Sequence, residues 1–343
     1  MKSLRSLACL TVLAAAAFAL LLHAKPSAAG PSGYQVVKTI SGLGDGFWDY
    51  VAVDSGGRRI YVSHATKVAV LDADSFAVVG EISDTQGVHG IAVAPDLGHG
   101  FTSNGRANTC TVFDLKTLKT LATVKTGENP DAILYESVTK RVFTFNGRSK
   151  DATAFTAADG TVVGTLPLGG KPEFAAADGK GKIYVNIEDT SELVEIDAQA
   201  IKVVQRWPLK PCESPSGLSM DQKNRRLFVG CENKMMAVVD ADTGKVIATP
   251  TIGQGVDATA YDPGTGFALS SNGEGTLTVV KQDGPDKYSV LDNVPTQKSA
   301  RTMGLDLKTH NVVLPAAEFL PPKKGERRGA MKPGSFVLVV VAK

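Results

Sequence analysis

Residues 88–124 read VHGIAVAPDLGHGFTSNGRANTCTVFDLKTLKTLATV, and this stretch decides the fold. It contains four short runs rich in Val, Ile, Phe, Leu and Thr, separated by segments that carry Gly, Asp, Asn or Lys. β-Branched and aromatic runs of about four to eight residues, bounded by turn residues, are typical of strands. The stretch therefore predicts a meander of four antiparallel strands.

The same unit recurs along the chain. The first runs of the seven copies are WDYVAVD, VHGIAVA, PDAILYE, PEFAAAD, PSGLSMD, VDATAYD and ARTMGLD. They end at Asp54, Ala94, Glu136, Asp178, Asp221, Asp262 and Asp306, at spacings of 40, 42, 42, 43, 41 and 44 residues. A period of about 42 residues is that of one propeller blade. We therefore predict an all-β, seven-bladed propeller of four-stranded antiparallel blades.

The seventh copy lacks a fourth run, because VLVVVAK at the end of the chain is already its third. Residues 34–40, YQVVKTI, lie before the first copy and alternate like an outer strand. We predict that they pair with the terminal strand and close the ring, since a propeller leaves only short, protected edges. Residues 321–335, PPKKGERRGAMKPGS, are predicted to be an insertion between the second and third strands of blade 7.

Several second runs carry a family resemblance. IYVSH, IYVNI and LFVGC, together with GFTSNGR, VFTFNGRSKDAT and SSNGEGTLTVV, resemble the YVTN-type repeats of the YncE-like family of bacterial β-propellers. The resemblance covers residues 34–343 and implies one propeller domain over residues 30–343. It also implies that single-stranded nucleic acid, or a quinone- or haem-dependent partner enzyme, is worth considering. It does not specify an activity, because propellers serve many functions.

Residues 1–29 differ from the rest of the chain. Lys2 and Arg5 precede an apolar run from Leu7 to Leu22, and small residues follow it. This is the pattern of a secretory signal, which we expect to be cleaved before Gly30. The apolar run is shorter than the roughly 20 residues that span a bilayer, so no membrane span is expected after cleavage. The protein is therefore predicted to be periplasmic or secreted, and monomeric.

The charge of the mature chain is close to zero. The whole chain carries 37 Lys and Arg against 35 Asp and Glu, and cleavage removes three of the basic residues and none of the acidic ones. The formal charge then falls from +2 to −1. Such a chain has no general electrostatic attraction to nucleic acid or anionic membranes.

A ring of polar residues is expected at one mouth of the central channel. The position five residues before the end of each first run lies where the innermost strand begins, so these seven side chains should converge. They are Asp49, His89, Asp131, Glu173, Ser216, Asp257 and Arg301. The ends of the second strands and the turns after them add further candidate ligand contacts: His64, Asn104, Arg106, Asn146, Arg148, Glu188, Asn272, Glu274 and Glu318. Convergent polar groups in a concavity are the default binding-site hypothesis.

Two metal sites are compatible with this ring. Asp131, Glu173 and Asp257 supply the oxygen ligands that Ca²⁺ or another hard divalent ion prefers. Alternatively, His64, His89 and Glu318 come from neighbouring blades, and two imidazoles with a carboxylate suit Zn²⁺. No compact motif supports either set, since the ligands come from different blades.

The function predicted from the sequence is binding of a small ligand or a periplasmic protein at the channel mouth. A metal-dependent hydrolase or lactonase at the same site is the alternative. The third candidate, single-stranded nucleic-acid binding, would use arginines such as Arg106 with Phe47, Trp48 and Tyr50. Nothing indicates an enzyme directly: no nucleophile elbow, phosphate loop, Rossmann fingerprint or CxxCH motif is present, and no flavin, nicotinamide or haem is expected.

Three cysteines remain after cleavage, namely Cys110, Cys212 and Cys231. Cys212 precedes the first strand of blade 5 and Cys231 ends the second, so both lie at the channel-mouth face of one blade. An exported protein can keep a disulfide, and we predict one between these two. Cys110 begins a third strand and is expected to be a small buried residue.

Overall fold

The computed structural model describes residues 30–284, 286–323, 325 and 329–343. The predicted export signal lies outside the described residues, as do Lys324, Arg327 and Arg328 of the predicted insertion. In the described part of the chain, no helix is long and apolar enough to cross a membrane.

The described residues form strands that we number β1 to β28 in chain order. Their bounds are β1 Gln35–Ile40, β2 Val51–Asp54, β3 Arg59–His64, β4 Lys67–Asp72, β5 Val78–Ile82, β6 Val88–Ala94, β7 His99–Asn104, β8 Thr109–Asp114, β9 Thr120–Lys125, β10 Pro130–Glu136, β11 Arg141–Asn146, β12 Asp151–Thr156, β13 Val162–Pro167, β14 Pro172–Ala177, β15 Lys182–Ile187, β16 Glu192–Asp197, β17 Lys202–Pro208, β18 Pro215–Asp221, β19 Arg226–Cys231, β20 Met235–Asp240, β21 Val246–Ala248, β22 Val256–Asp262, β23 Phe267–Asn272, β24 Thr276–Gly284, β25 Lys287–Pro295, β26 Gly304–Leu305, β27 Val312–Ala316 and β28 Val337–Ala342.

These strands form seven four-stranded antiparallel sheets, which are the blades of the propeller. Blades 1 to 6 take their strands in sequence order, from β2–β5 for blade 1 to β22–β25 for blade 6. Blade 7 has the order β1-β28-β27-β26, so its outer strand comes from the beginning of the chain. The predicted fold class and the closure of the ring by the N-terminal strand are confirmed.

The ring is closed by an antiparallel ladder that has one register shift, between Val36 and Lys38. β1 pairs with β28 from Gln35 opposite Ala342 to Ile40 opposite Leu338. Tyr34, just before β1, is 1% exposed, and its hydroxyl donates a hydrogen bond to the carbonyl oxygen of His310 at 3.0 Å. The N-terminal segment is thus held by a backbone ladder and by one buried aromatic anchor.

The hydrophobic core lies between adjacent blades. Between blades 2 and 3, for example, Phe101 and Val112 pack with Val142 and Phe155, and all four are at most 2% exposed. Each blade therefore buries one face of its sheet against the preceding blade and the other against the next one. Stability depends on the ring being complete, because an open ring would expose two such faces.

Charged side chains join neighbouring blades at the face opposite the predicted site. Arg58 of blade 1 donates to both carboxylate oxygens of Asp306 in blade 7, at 2.9 and 2.8 Å. Arg225 of blade 5 pairs with Asp178 of blade 4 at 2.9 Å. Each basic residue lies in the turn after a first strand, and its partner carboxylate caps the equivalent turn of the preceding blade. We call these contacts the inter-blade latches.

The cysteine pair of blade 5 is joined. Cys212 and Cys231 form a disulfide with their Cα atoms 5.5 Å apart and 19 residues apart in sequence. In a chain-entropy account, a loop of this length stabilises the fold by about 3 kcal/mol. Cys110 is a free, buried thiol, and burial raises its pKa.

Candidate functional site

Irregular pairing at the start of the innermost strands positions most of the ring. The register between first and second strands shifts between Pro130 and Ile133 in blade 3, and between Val256 and Ala258 in blade 6. The same shift occurs in blades 2, 4 and 5. Five ring residues lie inside these shifts: His89, Asp131, Glu173, Ser216 and Asp257. A bulge re-aims a side chain, and here it directs polar groups to the channel mouth.

The ring residues of blades 1, 2 and 3 meet around one imidazole. Nδ1 of His89 is 2.6 Å from Oδ2 of Asp49 and 3.7 Å from Oδ1 of Asp131. Among the described residues, these three form a possible metal-binding group, because their potential ligand atoms all lie within 4.8 Å of one another. The arrangement suits either an imidazolium shared by two carboxylates or a divalent cation.

Two cations hold the remaining acids of the ring. Arg301 donates to Asp257, and its guanidinium is 3.7 Å from Asp49. Ser216 donates to Oδ1 of Asp257 at 3.0 Å. Lys171, two residues before Glu173, approaches that carboxylate to 3.5 Å and also binds Glu188. Each carboxylate of the ring thus lies close to a basic residue, which reduces the repulsion between the converging carboxylates.

Burial still shifts the titration of this cluster. It raises the pKa of Asp131, Glu173 and Asp257, and the charges of neighbouring carboxylates raise these pKa values further. Burial lowers the pKa of His89, but its hydrogen bond to Asp49 and the charges around it outweigh this, so the net pKa is raised. Near neutral pH these four groups therefore hold more protons in the folded protein than in the unfolded chain.

We expect the free energy of unfolding to fall as the pH rises from about 5 to 9. Groups with raised pKa stabilise the fold below their ordinary pKa and lose that contribution as the pH passes through the raised value. Urea unfolding at several pH values measures this slope, which should flatten in the Asp131→Asn, Glu173→Gln double variant. Asp96→Asn is the control, because a hydrogen bond from Lys140 lowers the pKa of that carboxyl. An unchanged slope in the double variant would contradict the assignment.

Two aromatic side chains close the central channel beneath the ring of polar residues. Tyr50 of blade 1 and Phe174 of blade 4 come from opposite sides, and their ring centroids are 4.6 Å apart. Each directly follows a ring residue, so each lies one residue deeper in its strand. Burial raises the pKa of Tyr50 well above its ordinary value, and nearby acids including Asp131 and Glu173 raise it further. The channel mouth is therefore a concavity whose base is formed by two aromatic side chains.

A cavity of about 480 Å³ lies beside this concavity at the channel mouth. The residues that line it are Phe47, Trp48, Asp49, Ala65, Thr66, Gly87, Val88, His89, Gly105, Arg106, Asn108, Asn129, Arg148 and Arg301. It thus joins ring residues of blades 1, 2 and 7 to the turns of blades 1, 2 and 3. Its volume is in the range of about 300–1,000 Å³ that is typical of small-molecule sites.

The predicted asparagine contacts are buried within their blades. Asn104, Asn146 and Asn272 are at most 1% exposed. The amide of Asn104 donates to Thr109 at 3.2 Å and Thr111 at 2.8 Å, and its oxygen accepts from Thr102 at 2.8 Å. Asn146 donates to Asp151 and Thr153, and Asn272 donates to Thr276 and Thr278. These bonds already use the amide donors, so the three side chains hold adjacent strands of their own blades together.

Gly105, which follows Asn104, has a different role from the one that glycine usually has in an Asn-Gly turn. Gly105 does not take a positive φ, whereas Asn108, at the end of the same turn, does. A β-carbon on Gly105 would lie 2.5 Å from Nε2 of His89. Glycine is therefore required here for space in front of the imidazole rather than for turn geometry.

The remaining candidates lie at separate places. His64 is buried, its ring packs on Phe336 with centroids 4.6 Å apart, and burial followed by the charge of Lys67 lowers its pKa. Glu318 is exposed and binds Lys332 at 2.8 Å. The set His64, His89 and Glu318 is thus not brought together.

The oxygen-ligand set is not gathered either. Among the described residues, Asp131, Glu173 and Asp257 do not form a group of the kind formed by Asp49, His89 and Asp131, whose ligand atoms all lie within 4.8 Å of one another. Glu274 is exposed and accepts a hydrogen bond from Thr276 at 3.1 Å.

Sequence reasoning missed Lys171 and Phe174. Lys171 lies outside the position that defines the ring and reaches it with a long side chain. Phe174 had a detectable signal, since it and Tyr50 are the two large residues at one repeat position. The other copies have Gly90, Ala132, Gly217, Ala258 and Thr302 there.

Comparison with known proteins gives the fold alone. No protein-family model and no curated protein matches the chain. Hydrazine synthase of Kuenenia stuttgartiensis is 14% identical, with a TM-score of 0.70 over 80% of this chain and 94% of that chain. The WD40 repeats of RRP9 are 10% identical, with a TM-score of 0.75 over 92% of this chain and 98% of that chain. U3-55K is also 10% identical, with a TM-score of 0.73 over 92% and 99%.

Proposed function

We propose that this protein is an exported binding protein that holds a small polar ligand at the channel mouth. One observation carries the proposal: charged side chains from several blades converge beside a cavity of about 480 Å³. The contact between Tyr50 and Phe174 closes the channel below them. A concave site with an apolar floor and a few oriented polar groups is the usual form of a ligand site.

Export and family membership are parts of the same proposal. The charged and apolar pattern of residues 1–29 supports a cleaved signal. The disulfide between Cys212 and Cys231 is compatible with an oxidising compartment such as the periplasm. The repeats support membership of the YncE-like family, and we treat the protein as a monomer.

A thermal-shift screen tests the binding role. The purified protein is screened against sugars, amino acids, lactones, organic acids, single-stranded oligonucleotides and divalent metal chlorides. A ligand that binds the folded state raises the melting temperature as its concentration increases. We expect at least one small-molecule class to do so, and Thr66→Trp to abolish the shift by filling the cavity.

The control places the same large side chain elsewhere. Val138→Trp adds a tryptophan at an exposed turn of the opposite face, where Val138 is 57% exposed. It should leave the shift unchanged. A ligand whose shift survives Thr66→Trp binds somewhere else. If no small molecule shifts the melting temperature, the proposal is wrong.

Metal-dependent hydrolysis is the second candidate, favoured by the group Asp49, His89 and Asp131. Two carboxylates and an imidazole suit a divalent ion that polarises a carbonyl group. Against it, Arg301 lies 3.7 Å from Asp49 and competes for that carboxylate. The metal arm of the screen decides: a metal-induced shift lost in His89→Ala, together with lactone turnover, would replace simple binding by catalysis.

A further inference from the structure

The lining of the cavity has an unequal charge. Among its described residues Asp49 is the one carboxylate, against the guanidinium groups of Arg106, Arg148 and Arg301. The formal charge of the lining is therefore +2 with His89 neutral, although the mature chain as a whole is near zero. A concave site with walls of one sign concentrates ligands of the opposite sign.

Two of these arginines have no side-chain partner among the residues that the structure describes. Arg106 and Arg148 follow β7 and β11, and both are exposed. Among the described residues, neither guanidinium makes a hydrogen bond or ion pair. Arg301 differs, since it is bound to Asp257. The two free guanidinium groups can each offer a charge-assisted pair of N–H donors to a carboxylate or phosphate.

His89 presents a ring nitrogen to the same cavity. Its Nδ1 is bound to Asp49, so Nε2 is the ring nitrogen left for a ligand. Nε2 faces Gly105, where any β-carbon would lie 2.5 Å away. The absence of a side chain at Gly105 thus keeps the space in front of this nitrogen open.

Another part of the lining is apolar. Phe47 is 61% exposed, and it lines the cavity next to the buried ring of Trp48, with ring centroids 6.4 Å apart. An exposed phenylalanine beside arginines gives a flat surface for an apolar body. A ligand that contacts both the arginines and Phe47 needs an acidic head and a planar body.

We infer that the cavity binds a small organic anion, with its carboxylate or phosphate held by Arg106 and Arg148 and its planar body against Phe47. This inference rests on the proposed binding role and specifies its ligand class. The shared chemistry is that of an aromatic acid, whether its head is a carboxylate or a phosphate monoester.

Isothermal titration calorimetry with defined probes tests the inference. Phenyl phosphate and benzoate should bind, inorganic phosphate should bind more weakly because it lacks the planar body, and benzyl alcohol should not bind. The Arg106→Gln, Arg148→Gln double variant should lose at least about tenfold in affinity. Phe47→Ala should lose affinity for phenyl phosphate but not for inorganic phosphate.

The matched control is Arg59→Gln, which removes a guanidinium at the opposite face and should leave the affinity unchanged. The substituted arginines are exposed, so melting temperatures near the wild-type value are expected. Equal binding of benzyl alcohol, or full affinity in the double arginine variant, would overturn the inference. So would binding of oligonucleotides without binding of phenyl phosphate or benzoate.

The two proposals fail in different ways. A neutral or cationic molecule that binds and is blocked by Thr66→Trp would overturn the anion inference and leave the binding role standing. Absence of any small ligand in the screen would overturn both. Anion binding that is unaffected by Thr66→Trp would place the anion outside this cavity and contradict the inference.

Discussion

Deletion of residues 30–40 is expected to lower the melting temperature by about 10 °C or more, or to abolish cooperative unfolding. β1 pairs five residues with β28, and at about 1 kcal/mol per hydrogen bond the ladder alone contributes several kcal/mol. Burial of Tyr34 adds about 2–3 kcal/mol. The deletion also leaves β28, with the sequence VLVVVA, as an apolar open edge that favours aggregation.

The four central side chains of β1 are exposed, so a substitution there tests whether packing contributes in addition to the backbone ladder. Val37 is 53% exposed, so Val37→Thr should change the melting temperature only slightly. A synthetic peptide of residues 30–41 added to the deletion variant should restore part of the lost stability by rebuilding the ladder. Calorimetry measures all three. A deletion variant that melts within about 2 °C of the intact protein would show that the ring is stable without its closing strand.

The closing strand was predictable because a missing strand in one copy and a spare strand before the first copy are both visible in the sequence. The same reasoning located the ring, since repeat phase fixes where each innermost strand begins. Asp49, His89 and Asp131 are therefore brought together as expected. The position of a residue within its repeat can be read directly from the sequence. In a structure in which each unit contacts its neighbours, that position is sufficient to predict where the residue lies.

Repeat phase does not determine which way the last residue of a strand points. Asn104 and His64 hold equivalent positions, yet Asn104 bonds to hydroxyls of β8 whereas His64 packs on Phe336. The difference arises from what the adjacent strand or blade offers. For Asn104 the signal was present as Thr109 and Thr111, at alternate positions of the next strand.

The register shifts were also not predictable from the pattern. An extra residue in the innermost strand of five blades changes the direction of the ring side chains, but it leaves the apolar spacing nearly intact. Lys171, just before the shift in blade 4, lies 3.5 Å from Glu173. The charge balance of the ring thus depends on contacts in the three-dimensional structure that the repeat pattern does not show.

Arg58→Ala is expected to lower the free energy of unfolding by about 2–3 kcal/mol, because it leaves a buried carboxylate without its charged donor. The Asp306 side chain is 5% exposed and accepts two hydrogen bonds from Arg58. This latch joins blades 1 and 7, where the two ends of the repeat array meet, so its loss should loosen the closure itself. Urea unfolding measures the change, and hydrogen exchange of β1 and β28 locates it.

Asp74→Ala provides the matched control for this latch. Asp74 binds the same guanidinium at 2.7 Å but is 61% exposed, so water replaces it when it is removed. Arg225 repeats the arrangement inside the array, with buried Asp178 and exposed Asp242 as its partners. If the latch acts on ring closure, Arg58→Ala should speed exchange in β1 and β28, whereas Arg225→Ala should destabilise to a similar degree without that local effect. Equal losses from Arg58→Ala and Asp74→Ala would instead mean that the buried carboxylate does not depend on its arginine.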